Sequence, residues 1–543
     1  MADIRKHQFR IGHNVLYTVM LSLTVLTLVS GLCGERSAAA QDGDVRFKYK
    51  GYQGCAFCHS NDTGVRRRLD PDRSFSAMNE AIVFEHDKHV AAFELLATPL
   101  GQRMEKMLQT SEAWAGRKVI EAQECLSCHS GWIKGESKPE VYEFGVTCEA
   151  CHGAASEWEA PHYDTEWRVV SPDVKEKTYN FIDVRNPVRR AEQCFSCHIG
   201  NAKEGKVVTH EMYAAGHPPL PGIEIENFIA EMPTHWRGLR EKGEFRYLPG
   251  YLKANYPDAE YDPMQDLTKT KSVIVGGVMA LHESIELLAE QSSDPSWPEL
   301  AVFDCTACHH DLRSPAWRQS RGYSGLIPGR PGAFEWPNAL IKLAINHRAG
   351  GDSAKFQSEW DAYTSRKQEL TNALNSQPFG NSKGLSAAAD SILPWLRELA
   401  NDVSTSPVQQ SHAEMAIKQL LSLGPQDYPD YHSARQILWA YRTIRSEVST
   451  PYPKLKPSPQ GEESLKFGVD RGYANLQTFM AWKKGPQAAG RQRVDELLKK
   501  LEVSEPMRLQ LPSTVDEEIT AALPANLEGI STYDPDWFRE KLK

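Results

Sequence analysis

Apolar side chains recur at helical spacing along much of the chain, and alternating runs typical of strands are few. Spacings of three and four residues place such side chains on one face of a helix. One stripe covers residues 89–96, and Asp87 is well placed to cap its start. A second covers residues 274–288, with His282 at its border. The pattern predicts a mainly α fold with little sheet.

The part of the chain beyond residue 345 contains no cysteine, and its apolar pattern is again helical. A proline-rich break at residues 451–459 divides this part. We predict a helical domain over residues 346–543, which could support the rest of the protein, dock a partner or lie on a membrane surface. Its apolar faces carry Phe356, Trp360, Tyr363, Leu370, Leu374, Ile437, Tyr441, Ile444, Val494, Leu497, Leu498 and Leu501.

The first 40 residues have the pattern of an export signal. A basic start precedes a mostly apolar stretch at residues 15–32, and small residues precede Gln41. This stretch is at the long end for a signal peptide, so an uncleaved membrane anchor is the alternative. Cys33 lies in this leader. We expect no second apolar run of spanning length.

One five-residue pattern, Cys-x-x-Cys-His, occurs five times and uses ten of the eleven cysteines. It is the attachment signature of c-type haem. Two thiols must reach two vinyl groups on one porphyrin edge, and a two-residue gap, roughly one helical turn, puts both sulfurs on the same side. The next residue can then supply an axial imidazole to the iron. The cysteines are Cys55, Cys58, Cys125, Cys128, Cys148, Cys151, Cys194, Cys197, Cys305 and Cys308, and the proximal histidines are His59, His129, His152, His198 and His309.

Zinc sites and redox dithiols also use paired cysteines. A zinc site needs ligands in sets of four and gives no reason for a histidine after every second cysteine. A redox dithiol does not need five copies. The motifs therefore predict five covalently bound haem c groups.

All five motifs lie within residues 41–316, which we predict to form a pentahaem domain. Residues 317–345 are rich in proline, glycine and arginine and are predicted to connect it to the haem-free domain. Covalent haem attachment is an extracytoplasmic chemistry. Together with the leader it predicts a periplasmic protein, which is membrane-bound only if residues 1–40 are retained.

The sixth position of each iron decides what the haem can do, because a second histidine gives an electron carrier and an open position admits substrate. Residues 41–316 contain eight histidines besides the proximal five, enough for mostly bis-histidine irons. Our candidate distal ligands are His89, His162, His217, His235 and His210. The other three, His86, His282 and His310, are expected to have surface, interfacial or neighbouring-haem roles.

Three stretches, FEHDKHVAAFELL, GVTCEACHGAASEWEAPH and EMYAAGHPPLPGIEIENFIAEMPTHW, resemble a family of multihaem c-type cytochromes. This family is related to the tetrahaem cytochrome that accepts electrons from hydroxylamine oxidoreductase. The resemblance covers roughly residues 50–315 and implies a mainly helical fold, closely packed haem pairs and mostly bis-histidine irons. It also implies that His89, His162, His217 and His235 are distal ligands. The chain differs in having five motifs rather than four and a long helical extension.

Two functions fit these features. The first is electron transfer through closely spaced haems. The alternative is a multihaem oxidoreductase with one open-faced iron that acts on small nitrogen or sulfur oxyanions. The sequence contains no Cys-x-x-Cys-Lys variant, the mark of the commonest nitrite-reducing haem.

The net charge of the chain is −9, and it becomes −11 without the leader, which holds four basic and two acidic residues. This balance does not favour nucleic acid as a partner. It favours a redox protein with a basic docking face, either a periplasmic or a membrane-bound oxidoreductase.

Overall fold

The computed structural model describes residues 47–59, 87–132, 144–236, 248–257, 266–310 and 325–449, together with Ser314 and Gly322. Within these residues the fold is helical, and the β structure is limited to two isolated bridges, Asn201 with Lys206 and Phe303 with Ala333. The predicted fold class is therefore confirmed. The leader, His86 and the stripe at residues 494–501 lie outside the described residues.

Short helices form the first part of the fold, and longer ones follow from residue 268. The helices are α1 (Tyr52–His59), α2 (Pro99–Leu108), α3 (Gln123–His129), α4 (Cys148–His152), α5 (Pro172–Tyr179), α6 (Pro187–His198), α7 (His210–Ala214), α8 (Ile225–Ile229), α9 (Leu248–Asn255), α10 (Thr268–Ser292), α11 (Ile341–Ala349), α12 (Ser353–Asn375), α13 (Ser382–Thr405), α14 (Gln410–Ser422) and α15 (Tyr431–Ser449). Single 3₁₀ turns lie at Val90–Ala92, Glu94–Ala97, Glu112–Trp114, Pro161–Tyr163, Thr165–Val169, Leu300–Val302, Cys305–Ala307, Trp336–Asn338 and Pro425–Asp427.

Local sequence explains where several helices begin. The Asn186 side chain accepts hydrogen bonds from the backbone N–H groups of the first turn of α6, and Pro187 follows it at the first helical position. Asp352 caps α12 in the same way. These caps satisfy N–H groups that have no partner inside the helix.

The predicted stripe at residues 89–96 does not form an α-helix. The segment makes two 3₁₀ turns, Val90–Ala92 and Glu94–Ala97. The carbonyl of His89 accepts from the N–H of Ala92 and also from the N–H of Val146 in a distant loop. The His89 carbonyl thus takes part in a 3₁₀-type bond within the segment and in a tertiary bond to the loop before α4.

The second predicted stripe is confirmed as α10, the 25-residue helix at the centre of the fold. It packs along α13 and also contacts α6, α11 and α15. Gly277 permits a close approach to the residues before α11, because a Cβ atom there would lie 2.5 Å from Cβ of Leu340. One hydrophobic core therefore includes the helix of the fourth cysteine motif and the cysteine-free helices α11–α15.

By length and composition α10 could cross a membrane, so the expectation of no second spanning run after the leader was wrong. Most of its apolar stretch is buried against the protein's own helices. This burial is typical of a core helix.

The buried carboxylate of Glu447 on α15 caps the start of α10. It accepts hydrogen bonds from the N–H groups of Lys269 at 3.0 Å and Thr270 at 2.6 Å, and from the Thr270 hydroxyl at 2.7 Å. We expect Glu447→Ala to lower the free energy of unfolding by about 2 kcal/mol, because these donors lose their acceptor and the helix dipole loses its counter-charge. Urea unfolding followed by circular dichroism measures this.

The matched control is Glu369→Ala, which removes an exposed carboxylate from α12. It is expected to change the free energy of unfolding by less than about 0.5 kcal/mol. Equal losses in the two variants would contradict a capping role for Glu447.

Candidate haem-binding sites

Four of the five cysteine motifs lie on α-helices that end at the motif histidine: α1, α3, α4 and α6. The fifth motif forms the 3₁₀ turn Cys305–Ala307, where the Asp304 side chain accepts from Thr306 N–H and the N–H of His309 donates to the Cys305 carbonyl at 2.8 Å. A helical backbone brings the two cysteines of each motif to neighbouring positions on one face, as attachment to one porphyrin edge requires.

Thiols of different motifs lie against each other. Cys55 shares a hydrogen bond with Cys148, which raises the pKa of Cys55 and lowers that of Cys148. Cys128 and Cys197 form a second such pair, and their hydrogen bond raises the pKa of Cys128 and lowers that of Cys197. The first motif therefore neighbours the third, and the second neighbours the fourth. Once thioether bonds form, these sulfurs no longer titrate.

Further contacts extend this series. Burial raises the pKa of Cys151 to about 12, and the nearby thiols of Cys194 and Cys197 add to the shift, so the third motif also neighbours the fourth. Tyr213 on α7 has its pKa raised by burial and by both Cys305 and Cys128, so it lies between the fifth and second motifs. These pairwise links connect the motifs in the order first, third, fourth, second and fifth.

Four motif histidines face a second histidine at a nearly constant distance between ring centres. The separations are 6.2 Å for His59 with His162, 6.2 Å for His198 with His89, 6.4 Å for His129 with His217 and 6.2 Å for His309 with His210. Because imidazole nitrogens bind first-row metal ions at about 2.0 Å and a ring centre lies about 1.1 Å further out, two trans imidazoles place their ring centres about 6.2 Å apart. The four pairs fit a haem iron between each.

The Nδ1 atoms of these histidines have acceptors that fix the tautomer. His129 Nδ1 lies 2.6 Å from the Ala92 carbonyl, and His217 Nδ1 lies 2.7 Å from the Pro218 carbonyl. His162 Nδ1 makes the same kind of bond to the Glu159 carbonyl. A carbonyl oxygen only accepts, so Nδ1 carries the proton and Nε2 keeps its lone pair for a metal.

The histidine of the third motif has a different neighbourhood. Burial is the main cause that lowers the pKa of His152 to about 4, and the charge of His235 contributes to the shift. The ring of Phe181 stacks on His152 with 5.6 Å between ring centres. Trp236 packs edge-on against His235 at 4.9 Å. His235 is the candidate histidine whose charge acts on the third motif.

Burial keeps several of these imidazoles neutral. It lowers the pKa of His129, and it lowers the pKa of both His198 and His217 to about 4, with a neighbouring histidine contributing in the last two. A neutral imidazole is the form that coordinates iron. The donor set therefore fits haem iron at neutral pH.

His282 has other partners. Its Nδ1 lies 3.0 Å from Glu283 Oε1, and Glu286 completes a cluster whose ligand atoms could surround a cation. Lys203 Nζ already lies 2.7 Å from Glu286 Oε1, and Arg397 lies 3.8 Å from Glu283. These cations neutralise the carboxylates, so the cluster is better described as an ion-pair network.

Sequence reasoning missed the groups that hold the histidines in place. Phe181 and Phe228 pack on His152 and His198, and Asp87 faces Nδ1 of His89. Asp87 had been assigned only to helix capping. No pattern at the sequence level distinguished the two phenylalanines from ordinary core residues.

The helical fold and the cysteine–histidine sites are consistent with a c-type cytochrome, and a family match supports an electron-transfer haem protein with covalently bound haem. Residues 54–153, about a fifth of the chain, match the family described as cytochrome c554 and c-prime. A search of curated proteins and a search of solved structures each found no match.

Proposed function

We propose that the protein is an extracytoplasmic electron-transfer protein that holds five c-type haems, with each iron between two histidines. The proposed pairs are His59 with His162, His129 with His217, His152 with His235, His198 with His89 and His309 with His210. Haem c supplies one-electron redox chemistry, and the chain supplies ligands, spacing and burial.

The single observation that carries this proposal is the narrow range, 6.2–6.4 Å, of four separations between histidine ring centres. The paired histidines are far apart in sequence, so local geometry does not impose a common spacing. A shared requirement to bind one metal from both sides accounts for it. Protonated Nδ1 atoms leave Nε2 free at His129, His162 and His217.

The order in which these links connect the motifs supports a conduit. The first and fifth motifs lie at the two ends of the series, and neighbouring motifs are linked by hydrogen-bonded thiols, by the charges of nearby thiols or by Tyr213. In such a series one end would receive electrons and the other would deliver them. The acidic balance of the chain favours redox-protein partners with basic docking faces, either periplasmic or membrane-bound.

Export is the second part of the proposal. It is supported by the signal-like first 40 residues and by the chemistry of covalent haem attachment. The mass of the mature protein tests export. We expect the mass of a chain cleaved before Gln41. A mass that includes the leader would indicate a membrane anchor instead.

The experiment that tests the ligation is a carbon monoxide titration of the reduced protein, with the haem content determined chemically. Five haems per chain are expected, all low-spin and none able to bind the gas, because a second histidine occupies each sixth position. His217→Ala is expected to make one haem in five reactive to carbon monoxide.

His412→Ala is the matched control, because it removes a histidine from the cysteine-free part of the chain. It is expected to leave the spectrum unchanged. Carbon monoxide binding by the unaltered protein would contradict complete bis-histidine ligation and would favour an oxidoreductase with an open-faced iron. A count below five would contradict the stoichiometry.

A further inference from the structure

Asp87 is a buried carboxylate that faces a proposed distal ligand. It is 4% exposed, and its Oδ1 accepts from the backbone N–H of His89 at 3.0 Å and lies 2.8 Å from His89 Nδ1. Nδ1 is therefore the protonated nitrogen of this ring. The same ring stands perpendicular to that of His198, with 6.2 Å between ring centres.

The group that accepts the hydrogen bond from His89 Nδ1 is charged, whereas the groups that accept from Nδ1 of three other paired histidines are neutral. His129, His162 and His217 donate to neutral backbone carbonyls. His89 donates to a carboxylate. A carboxylate on the outer nitrogen makes an imidazole a more basic, more strongly donating ligand.

The other carboxylate oxygen of Asp87, Oδ2, has a different environment. Among the described residues Oδ2 is buried and accepts no hydrogen bond. His235 is the other ring whose charge acts on Asp87. Burial alone would raise the pKa of Asp87, but the hydrogen bond and charge of His89 together with the charge of His235 lower it, so Asp87 is an ionised carboxylate.

We propose that Asp87 sets the reduction potential of the iron held by His89 and His198, making it harder to reduce than irons whose histidines donate only to carbonyls. This inference rests on the bis-histidine ligation proposed above. A more basic ligand stabilises the ferric state, so the potential falls.

A lowered reduction potential at this site would affect electron transfer along the series of haems. The fourth motif is third in this series, with two motifs on either side. A low potential there creates an uphill step in the middle of the series. Asp87 would therefore limit the rate of transfer between the two ends.

The test is a redox titration of the full-length haem-loaded protein monitored by electron paramagnetic resonance, with Asp87→Asn. The amide oxygen of asparagine can still accept the hydrogen bond from the backbone N–H of His89, so the local backbone is expected to hold. The potential of one haem is expected to rise, and its ferric signal is expected to shift, while the other signals move less.

His89→Ala identifies which signal belongs to this site, because removing the ligand should abolish one low-spin signal and create a carbon monoxide-binding haem. Asp173→Asn is the charge control, since it removes one exposed carboxylate that pairs with Lys177 on α5. It should leave all the potentials in place.

The outcomes separate the two proposals. If His89→Ala opens an iron while Asp87→Asn leaves every potential unchanged, Asp87 does not tune the site and the ligation stands. If His89→Ala opens no iron, the proposed ligation itself fails. A fall in potential with Asp87→Asn would also overturn the inference.

Discussion

Trp439→Ala is expected to lower the free energy of unfolding by about 3–5 kcal/mol, the usual loss when a buried tryptophan becomes alanine. Trp439 is fully buried on α15. Its ring lies 6.0 Å from that of Phe228, and the guanidinium of Arg435 stacks on it at 4.3 Å. Removing the ring leaves a cavity and takes away the aromatic face on which this buried cation rests.

Trp439→Phe is the informative companion variant. Among the described residues the indole Nε1 is buried without a hydrogen-bond acceptor, so phenylalanine gives up volume and no hydrogen bond. A loss below about 1.5 kcal/mol is expected. Chemical unfolding followed by circular dichroism measures both variants. Equal losses for alanine and phenylalanine would show that packing is not what Trp439 supplies.

The same substitution is expected to disturb the fourth motif. Phe228 lies between Trp439 and His198, with its ring centre 5.8 Å from that of His198. Loss of Trp439 frees Phe228 to move, so the electron paramagnetic resonance signal of the His198 haem should broaden. Leu421→Ala, at an exposed position on α14, should leave both stability and signal unchanged.

These contacts give the cysteine-free helices a physical role. The core that surrounds α10 also contains residues of α6, which carries the fourth motif, and of α11–α15. Arg397 on α13 pairs with Glu192 on α6. The later helices therefore support one of the motif helices directly. The predicted boundary between a pentahaem domain and a haem-free domain stays a prediction about the sequence pattern.

The spacing of residues in the sequence was enough to predict much of the candidate site. The interval between the cysteines and the adjacent histidine predict which residues attach a haem, because these residues meet within one helical turn. The 3.6-residue period likewise specified α10, since every apolar position of a buried helix faces a partner. In both cases the information lies within a few residues.

Which histidine faces which motif could not be predicted from spacing. His89 and His198 are more than a hundred residues apart, and their meeting depends on how α6 packs on α10 and on the hydrogen bond from Val146 to His89. The segment at residues 89–96, predicted to be a helix, forms 3₁₀ turns instead. An amphipathic stripe also gives no indication of its partner, so the shared core of α6 and α11–α15 was not foreseen.

Acid is expected to destabilise the later helices through His347 on α11. Burial and, to a smaller extent, the charges of His412 and Lys271 lower the pKa of His347 to about 4, while Asp266 acts in the opposite direction. The rings of His347 and His412 lie 4.9 Å apart, and His347 Nε2 lies 2.8 Å from the Ser406 hydroxyl. A second proton on His347 would therefore be buried beside existing positive charge.

The direction of this pH effect follows from how readily His347 binds a proton in the folded and in the unfolded protein. Unfolded His347 binds a proton as the pH falls through about 6.5, while the folded protein resists it until about 4, so stability is complete above pH 6.5 and is lost on the way down. Between pH 7 and pH 5 this single group is expected to remove about 2 kcal/mol. His432, whose pKa burial and Arg435 lower to about 3, acts in the same direction.

His347→Gln should abolish this part of the acid sensitivity, because glutamine can bond to Ser406 and does not titrate. Urea unfolding at pH 7 and pH 5, followed by circular dichroism, should show a difference between the two pH values about 2 kcal/mol smaller than in the unaltered protein. His412→Gln should give a smaller relief, since the pKa of His412 is lowered by burial but its ring is less enclosed. An unchanged pH dependence in His347→Gln would mean that His347 is protonated as easily in the folded protein as in the unfolded chain.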